Sequence, residues 1–153
     1  MEKSVLFVCT GNTCRSPLAE VWFNKCAADA GLTGYKGCSA GLYAMQGSPA
    51  SLHSRVAAAG HGVSLEDFRS RALTYEMVKD ASLIVGLTDG HCRKIISALP
   101  EVSGKVRRMM EFAGGVGDVA DPYGGTQGDY DKAFVVIRKA VENLVEQLKQ
   151  DNF

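Results

Sequence analysis

Two continuous apolar runs constrain the fold of this chain more than any other feature of its sequence. The runs over 5–8 (VLFV) and 83–87 (LIVGL) contain no polar side chain. A strand with one solvated face alternates between apolar and polar residues, whereas a strand covered on both faces is apolar throughout. Sheets covered on both faces are mostly parallel and carry helices on each side. The two runs therefore indicate the middle of a parallel sheet in an α/β protein.

Helical patterns alternate with the predicted strands. Ser16-Pro17 is typical of a helix start, with a capping serine and a proline at the first helical position, and Gly31 is suited to end this helix. Ser48-Pro49 predicts a second such start. The other predicted elements are strands over 35–40 and 105–110, helices over 89–99 and 134–148, and a glycine-rich loop over 113–128. We expect one domain over residues 1–153, a three-layer α/β sandwich around a four-stranded parallel sheet.

The composition argues against several classes of function. Seventeen basic and seventeen acidic residues give a formal net charge of zero, whereas nucleic-acid-binding domains usually carry a basic excess. No apolar run is long enough to span a bilayer, and the first residues lack the layout of a signal peptide. The five cysteines form no CxxC pair and the three histidines lie far apart, so we expect no disulfide framework, metal or cofactor. We predict a cytoplasmic monomer that binds neither nucleic acid nor membranes.

The segment over 9–17 (CTGNTCRSP) is where the sequence points to chemistry. It joins the first predicted strand to the first predicted helix, at the edge of the sheet where α/β proteins bind ligands. Backbone N–H groups converge at such a turn, next to the positive end of the helix dipole. A glycine within the turn allows the backbone to approach a ligand closely. The predicted phosphate-binding residues are Thr10, Gly11, Asn12, Thr13, Cys14 and Arg15.

Cys9 and Arg15 supply the reactive groups of this predicted site. A thiolate at a helix N-terminus is stabilised by the amide groups and by a neighbouring arginine, and it is a good nucleophile toward phosphorus. The planar guanidinium of Arg15 can hold two phosphate oxygens at once. An inert thiol and a surface arginine would explain the spacing alone, but not the strand, glycine and helix start around it. We predict a phosphatase in which Cys9 is the nucleophile and Arg15 binds the phosphate.

The segment over 8–20 (VCTGNTCRSPLAE) closely resembles the active-site loop of the low-molecular-weight protein tyrosine phosphatases. Blocks over 39–41, 61–71 and 121–123 are similar to further segments of that family in order and spacing, so the resemblance spans nearly the whole chain. It implies the predicted fold and a phosphocysteine intermediate on Cys9. It also implies that Asp121 is the general acid and then the base for the attacking water. Ordinary turn chemistry is the alternative for the Asp121-Pro122 pair.

The resemblance implies roles for other residues near the loop. Asn12, Ser16 and Ser39 are implied to form a supporting network, although a helix cap alone would explain Ser16. Cys14 is implied to form a reversible disulfide with Cys9 that protects the nucleophile from over-oxidation. The alternative for Cys14 is a small apolar filler of the core.

Substrate preference is predicted from Thr13. Tyrosine-directed family members usually carry isoleucine or leucine at this position, whereas the related bacterial protein-arginine phosphatases carry threonine. They also carry a Gly-Gly pair after the Asp-Pro-aromatic motif, and Gly124-Gly125 matches that pair. A hydroxyl at the rim suits a polar guanidinium, although a local turn bond would also explain Thr13. Tyr43 and Tyr123 are predicted to line the pocket, with a core position as the alternative for Tyr43.

We therefore predict phosphorylated proteins as partners, with phosphoarginine preferred and a strictly tyrosine-directed enzyme as the alternative. Inorganic phosphate or another oxyanion is expected to bind in the same site. An arsenate reductase would need resolving cysteines on a flexible segment, and Cys92 lies inside a predicted helix without a neighbouring cysteine. A phosphate-binding module without activity would need neither Cys9 nor Asp121.

Overall fold

A sheet of four strands crosses the computed structural model, which describes residues 2–150. The strands are β1 (Lys3–Cys9), β2 (Tyr35–Gly41), β3 (Leu83–Gly86) and β4 (Val106–Arg108). All are parallel and lie in the order β2-β1-β3-β4. The two apolar runs therefore form the central strands, which confirms the predicted parallel sheet.

Helices cover both faces of this sheet. They are α1 (Arg15–Asp29), α2 (Leu52–Ala59), α3 (Tyr75–Asp80), α4 (Asp89–Ala98) and α5 (Gln127–Lys149), with 3₁₀ turns at Pro100–Lys105 and Met109–Phe112. Alternate side chains of β1 enter two separate cores. Val5 and Phe7 pack in the core that includes α1 and α5, and Leu6 and Val8 pack in the core that includes α3 and α4. The predicted three-layer sandwich is confirmed.

The predicted start of the first helix is two residues too late. Helix α1 begins at Arg15 after Cys14, so Ser16 lies inside the first turn and does not cap the helix. Pro17 is tolerated there because the first N–H groups of a helix have no partner within the helix. The predicted end is confirmed, since Gly31 follows the last residues of α1 in the left-handed region with φ 71°.

The start predicted at Ser48-Pro49 is also wrong. Pro49 forms an isolated antiparallel bridge with Arg69, and α2 begins only at Leu52. The side chain of Ser51 caps this helix by accepting a hydrogen bond from the N–H of Ser54. Helix α3 was not predicted, and α5 begins seven positions before the residue from which it was predicted.

The loops that follow β1, β2 and β3 meet at one edge of the sheet because parallel strands end on the same side. Cys9 at the end of β1 pairs with Gly41 at the end of β2. A Cβ atom on Gly41 would lie 2.6 Å from the carbonyl oxygen of Thr10 and 2.9 Å from the nitrogen of Asn12. A side chain at this position would push the loop after β1 out of place. Within residues 2–150, each helix is too short or too polar to cross a bilayer.

Candidate active site

The loop after β1 turns its carbonyl groups outward and its amide groups inward. Four carbonyl oxygens of the loop accept hydrogen bonds from neighbouring segments: Cys9 from Leu42, Thr10 from Tyr43, Thr13 from Ser51, and Cys14 from the Ser54 hydroxyl. The C=O and the next N–H of a trans peptide point in opposite directions. The amides that follow these carbonyls therefore face away from the outer partners. Inward-facing amides at the start of a helix are typical of an anion-binding loop.

Cys9 is held by a buried network of hydrogen bonds. Its sulfur lies 2.8 Å from the hydroxyl oxygen of Ser16. The side-chain nitrogen of Asn12 donates to Ser16 at 2.8 Å and to the Ser39 hydroxyl at 3.0 Å, and its oxygen accepts from the N–H of Arg71 at 2.8 Å. Because the Ser16 oxygen accepts from Asn12, its own proton is available to Cys9. The structure thus brings the three predicted network residues together behind the sulfur.

Asn12 adopts a backbone conformation that non-glycine residues seldom adopt. Its φ is 56° and its side chain is fully buried. Asparagine is one of the few residues that tolerate this left-handed conformation, since its short polar side chain can bond locally. The conformation and the three hydrogen bonds of the side chain together fix the shape of the loop.

Arg15 and Asp121 place opposite charges at the same cavity. Arg15 is 4% exposed, and its guanidinium donates to the carbonyl of Val119 at 2.9 Å and lies 3.6 Å from a carboxylate oxygen of Asp121. The Asp121 side chain is 56% exposed and its other oxygen accepts from the N–H of Tyr123 at 3.0 Å. The carboxyl group is therefore held by its own turn and faces the buried guanidinium.

The cavity between these groups has a volume of about 260 Å³. It is lined by Cys9, Thr10, Gly11, Thr13, Cys14, Arg15, Asp121 and Tyr123. Tyr43, predicted as a pocket residue, is not among these lining residues. Its exposed ring lies 4.6 Å from the ammonium group of Lys94, which also donates to its hydroxyl at 2.7 Å. The attraction of the ring for this cation accounts for the position of Tyr43.

Cys14 is buried and is a free thiol. Its sulfur lies 3.4 Å from the hydroxyl of Tyr130 in α5. Burial, followed by the bond to Cys14, raises the pKa of Tyr130 to about 12, so this residue is a neutral phenol. The disulfide between Cys14 and Cys9 stays a prediction.

Sequence reasoning missed two titratable residues at the site. His91 in α4 contacts the Thr10 hydroxyl, with 3.0 Å between the ring Nε2 and the oxygen. Burial, followed by the charge of Arg15, lowers the pKa of His91 to about 4. Glu20 in α1 accepts from the Ser39 hydroxyl at 2.8 Å, and burial raises its pKa. The only sequence signal for His91 was its position shortly after β3, at the edge where the strands end.

Within residues 2–150, no three side chains of His, Cys, Asp or Glu are grouped so that they could hold a metal ion. The chemistry that this arrangement offers is nucleophilic attack by sulfur on an anion bound by amides and a guanidinium, with a carboxyl group at the mouth to transfer a proton.

Comparison with known proteins gives matches that span nearly the whole chain and include the site. The family model described as low molecular weight phosphotyrosine protein phosphatase matches residues 4–152. A protein-arginine-phosphatase of Geobacillus stearothermophilus is 34% identical, covering 99% of both chains. The low molecular weight protein-tyrosine-phosphatase Etp of Escherichia coli K12 is 33% identical, covering 96% of this chain and 95% of its own. Overall identity therefore does not separate the two activities.

A solved structure adds a chemical observation on a relative. A cysteine-to-serine mutant of the YwlE arginine phosphatase, with a phosphorylated active site serine, superimposes with a TM-score of 0.91. It is 34% identical, and the match covers 97% of each chain. With the family model matched over nearly its whole length, this chain belongs to the low-molecular-weight phosphotyrosine protein phosphatase family.

Proposed function

We propose that this protein phosphatase hydrolyses phosphoarginine in proteins in preference to phosphotyrosine, with Cys9, Arg15 and Asp121 as its catalytic residues. The observation that carries the preference is the threonine at position 13 in the lining of the cavity. Its hydroxyl contacts the Cys14 sulfur at 3.8 Å, and sulfur is a weak acceptor. The hydroxyl is therefore free to bond a polar leaving group such as a guanidinium.

In the first step the Cys9 thiolate attacks phosphorus, the S–P bond forms, and the bond from phosphorus to the leaving nitrogen or oxygen breaks. Arg15 and the loop amides hold the phosphoryl oxygens and balance the charge that builds up on them. Asp121 gives its proton to the leaving atom, so that phosphoarginine releases a guanidinium group and phosphotyrosine a neutral phenol. The product is a phosphocysteine.

In the second step Asp121, now a carboxylate, takes a proton from a water that attacks phosphorus. The S–P bond breaks, inorganic phosphate leaves, and Cys9 returns as a thiolate. The Ser16 hydroxyl, 2.8 Å from the sulfur, stabilises this leaving group by donating to it.

A phosphotyrosine substrate is the second candidate. Tyr123 is 80% exposed in the cavity lining, where its ring can stack on an aryl group. The similarity to the tyrosine phosphatase of E. coli supports the same reading. Arsenate reduction is not favoured, because the Cys92 thiol is buried and donates to the carbonyl of Arg107. We also propose that the protein is a single-domain cytoplasmic monomer, which agrees with its balanced charge and five free cysteines.

A side-by-side assay tests the preference. Wild type, Thr13→Ile and the control Thr13→Ser are compared by kcat/KM on one phosphoarginine protein and one phosphotyrosine peptide. We expect wild type to prefer phosphoarginine and Thr13→Ile to move the ratio toward phosphotyrosine by about tenfold or more, because an apolar rim leaves the guanidinium unpaired. The serine variant should keep the wild-type preference. An unchanged ratio in Thr13→Ile would exclude Thr13 as the selector.

A further inference from the structure

Thr10, in the phosphate loop over 9–15, has a side chain that contacts helix α4. It follows the nucleophile directly, is exposed, and lines the cavity. Its hydroxyl oxygen lies 3.0 Å from Nε2 of His91, a residue of α4 that is 6% exposed. The two reaction steps use neither side chain, and they leave this partly buried contact without a role.

The contacts of the His91 ring determine which nitrogen carries the proton. The other ring nitrogen, Nδ1, lies 3.1 Å from the backbone N–H of Thr88, which can only donate. Nδ1 is therefore an acceptor, and in the neutral ring the proton is on Nε2. That N–H donates to the Thr10 oxygen. Thr10 accepts from His91 and keeps its own O–H proton to donate elsewhere.

The surroundings keep the ring in this form. The charged groups that act on His91 are Arg15 and Lys94, which disfavour a second proton, and Asp118 and Asp121, which favour it. Burial outweighs the two carboxylates, and the pKa of His91 falls to about 4. The ring is consequently neutral at neutral pH.

We propose that His91 is a positioning residue that fixes the Thr10 hydroxyl as a hydrogen-bond donor to the phosphoryl oxygens bound in the cavity. The inference rests on the proposed function and adds a hydroxyl donor to the loop amides and Arg15. A donor aimed at an oxyanion contributes most when it is already oriented before the ligand arrives. The two bonds of the imidazole provide that orientation, since they leave the Thr10 oxygen one accepting and one donating direction.

A double-mutant cycle tests this coupling. Turnover of para-nitrophenyl phosphate by wild type is measured first, because its absence would contradict the proposed function itself. Thr10→Val, His91→Phe and the double variant are then compared by kcat, KM and the inhibition constant of inorganic phosphate. We expect Thr10→Val to lower kcat/KM about tenfold or more and to weaken phosphate inhibition, as expected for loss of one bond to a charged group. His91→Phe should lose most of the same factor.

The double variant decides whether the two residues act through one another. If His91 acts through Thr10, the kcat/KM of the double variant should be within about threefold of that of the less active single variant. His91→Gln and Thr10→Ser should recover most of the activity, because they restore an N–H at the ring position and a hydroxyl at the loop. Losses that multiply in the double variant would overturn the proposal, as would a Thr10→Val variant equal to wild type.

Two measurements separate this result from a folding defect. Thermal unfolding is recorded for each variant, and His61→Gln is the matched control, since the exposed His61 ring packs on Trp22 and Phe134 and does not line the cavity. If His91→Phe does not fold, the variants His91→Gln, Thr10→Val and Thr10→Ser decide the inference. A Thr10→Val variant as active as Thr10→Ser would then overturn it.

Discussion

The loop over 9–15 and the loop over 113–126 form the two sides of the site, and they are built in opposite ways. In the first, Cys9, Asn12 and Arg15 are at most 4% exposed, and Asn12 alone bonds three partners. In the second, Asp121 is 56% exposed and Tyr123 is 80% exposed. Glycines with positive φ recur in this second loop, at Gly114, Gly115, Gly117 and Gly124.

This difference separates two tasks. A buried polar loop is stable only when its hydrogen bonds are made, so the phosphate loop has one shape and suits the charge stabilisation that every substrate needs. An exposed, glycine-rich loop has few packing contacts and can differ without loss of the core. We infer that the buried residues of the phosphate loop, Cys9, Asn12 and Arg15, provide catalysis common to all phosphoryl groups. What depends on the leaving group is provided by Thr13 in the cavity lining and by the loop that carries Asp121.

The largest expected effect tests the phosphate loop directly. Cys9→Ser should lower turnover of every substrate by at least about 1000-fold, because a serine hydroxyl here has no base to ionise it. Binding of inorganic phosphate, measured by calorimetric titration, should persist, since the amides and Arg15 remain. Cys26→Ser, at a half-buried cysteine outside the cavity, should match wild type. Turnover by Cys9→Ser within tenfold of wild type would remove Cys9 as the nucleophile.

The second prediction tests the other side of the comparison. Asp121→Asn keeps the shape of the side chain but cannot transfer a proton, so phenyl phosphate turnover should fall about 100-fold or more. Turnover of para-nitrophenyl phosphate should fall much less, because that leaving group needs little protonation. Asp118→Asn is the control, since Asp118 accepts from the N–H of Asp89 and lies outside the lining. The comparison uses kcat/KM, which is set by the first step and not by the attack of water, and equal losses of kcat/KM for both substrates would mean that Asp121 only shapes its loop.

The third prediction sharpens the comparison by changing the shape of the phosphate loop. Asn12→Gly keeps the positive φ and loses three buried hydrogen bonds, so the free energy of unfolding should fall by about 2–4 kcal/mol. Asn12→Ala should lose about 1 kcal/mol more because alanine is strained at this φ. Both should lower kcat about tenfold or more, by the same factor for phenyl and para-nitrophenyl phosphate. Urea unfolding and kinetics check this, and a loss that depended on the leaving group would break the distinction between the loops.

The sheet could be predicted from the sequence because strands that are buried on both faces form continuous apolar runs. The central strands must be apolar throughout, and their carboxyl ends locate the site. The residues from Cys9 to Arg15 are contiguous, so the phosphate loop is readable from its spacing. Helix α3 could not be predicted from the sequence, because it has six residues, of which only Val78 is buried.

The features of the site that the sequence does not predict depend on contacts between distant segments. Ser16 has the residue type of a helix cap, but in the fold its hydroxyl bonds Cys9 and Asn12 instead. His91 is 81 positions from Thr10, and only the parallel order of β1 and β3 brings them together. A local pattern cannot predict such pairs.

The smallest expected effect concerns Glu20, a half-buried residue of α1 that accepts a hydrogen bond from Ser39, a member of the network behind Cys9. Burial raises the pKa of Glu20, and the opposing bond from Ser39 and charge of Arg71 do not cancel this shift. The folded protein therefore binds this proton more tightly than the unfolded chain. The resulting stabilisation is complete below the unfolded pKa of a glutamate, about 4.3, and is lost as the pH rises through the folded pKa.

Glu20→Gln removes this titration and keeps an oxygen that can accept from Ser39. Relative to wild type, the variant should therefore gain stability between about pH 4.3 and neutrality, while its kcat stays within about threefold because the network behind Cys9 is intact. Urea unfolding of both proteins at each pH measures the difference, and Glu20→Ala, which removes the acceptor, should lower kcat more. If the variant instead lost stability relative to wild type as the pH rose, the carboxylate would be a stabilising part of the network. The buried side of the site would then depend on a charge as the exposed side does.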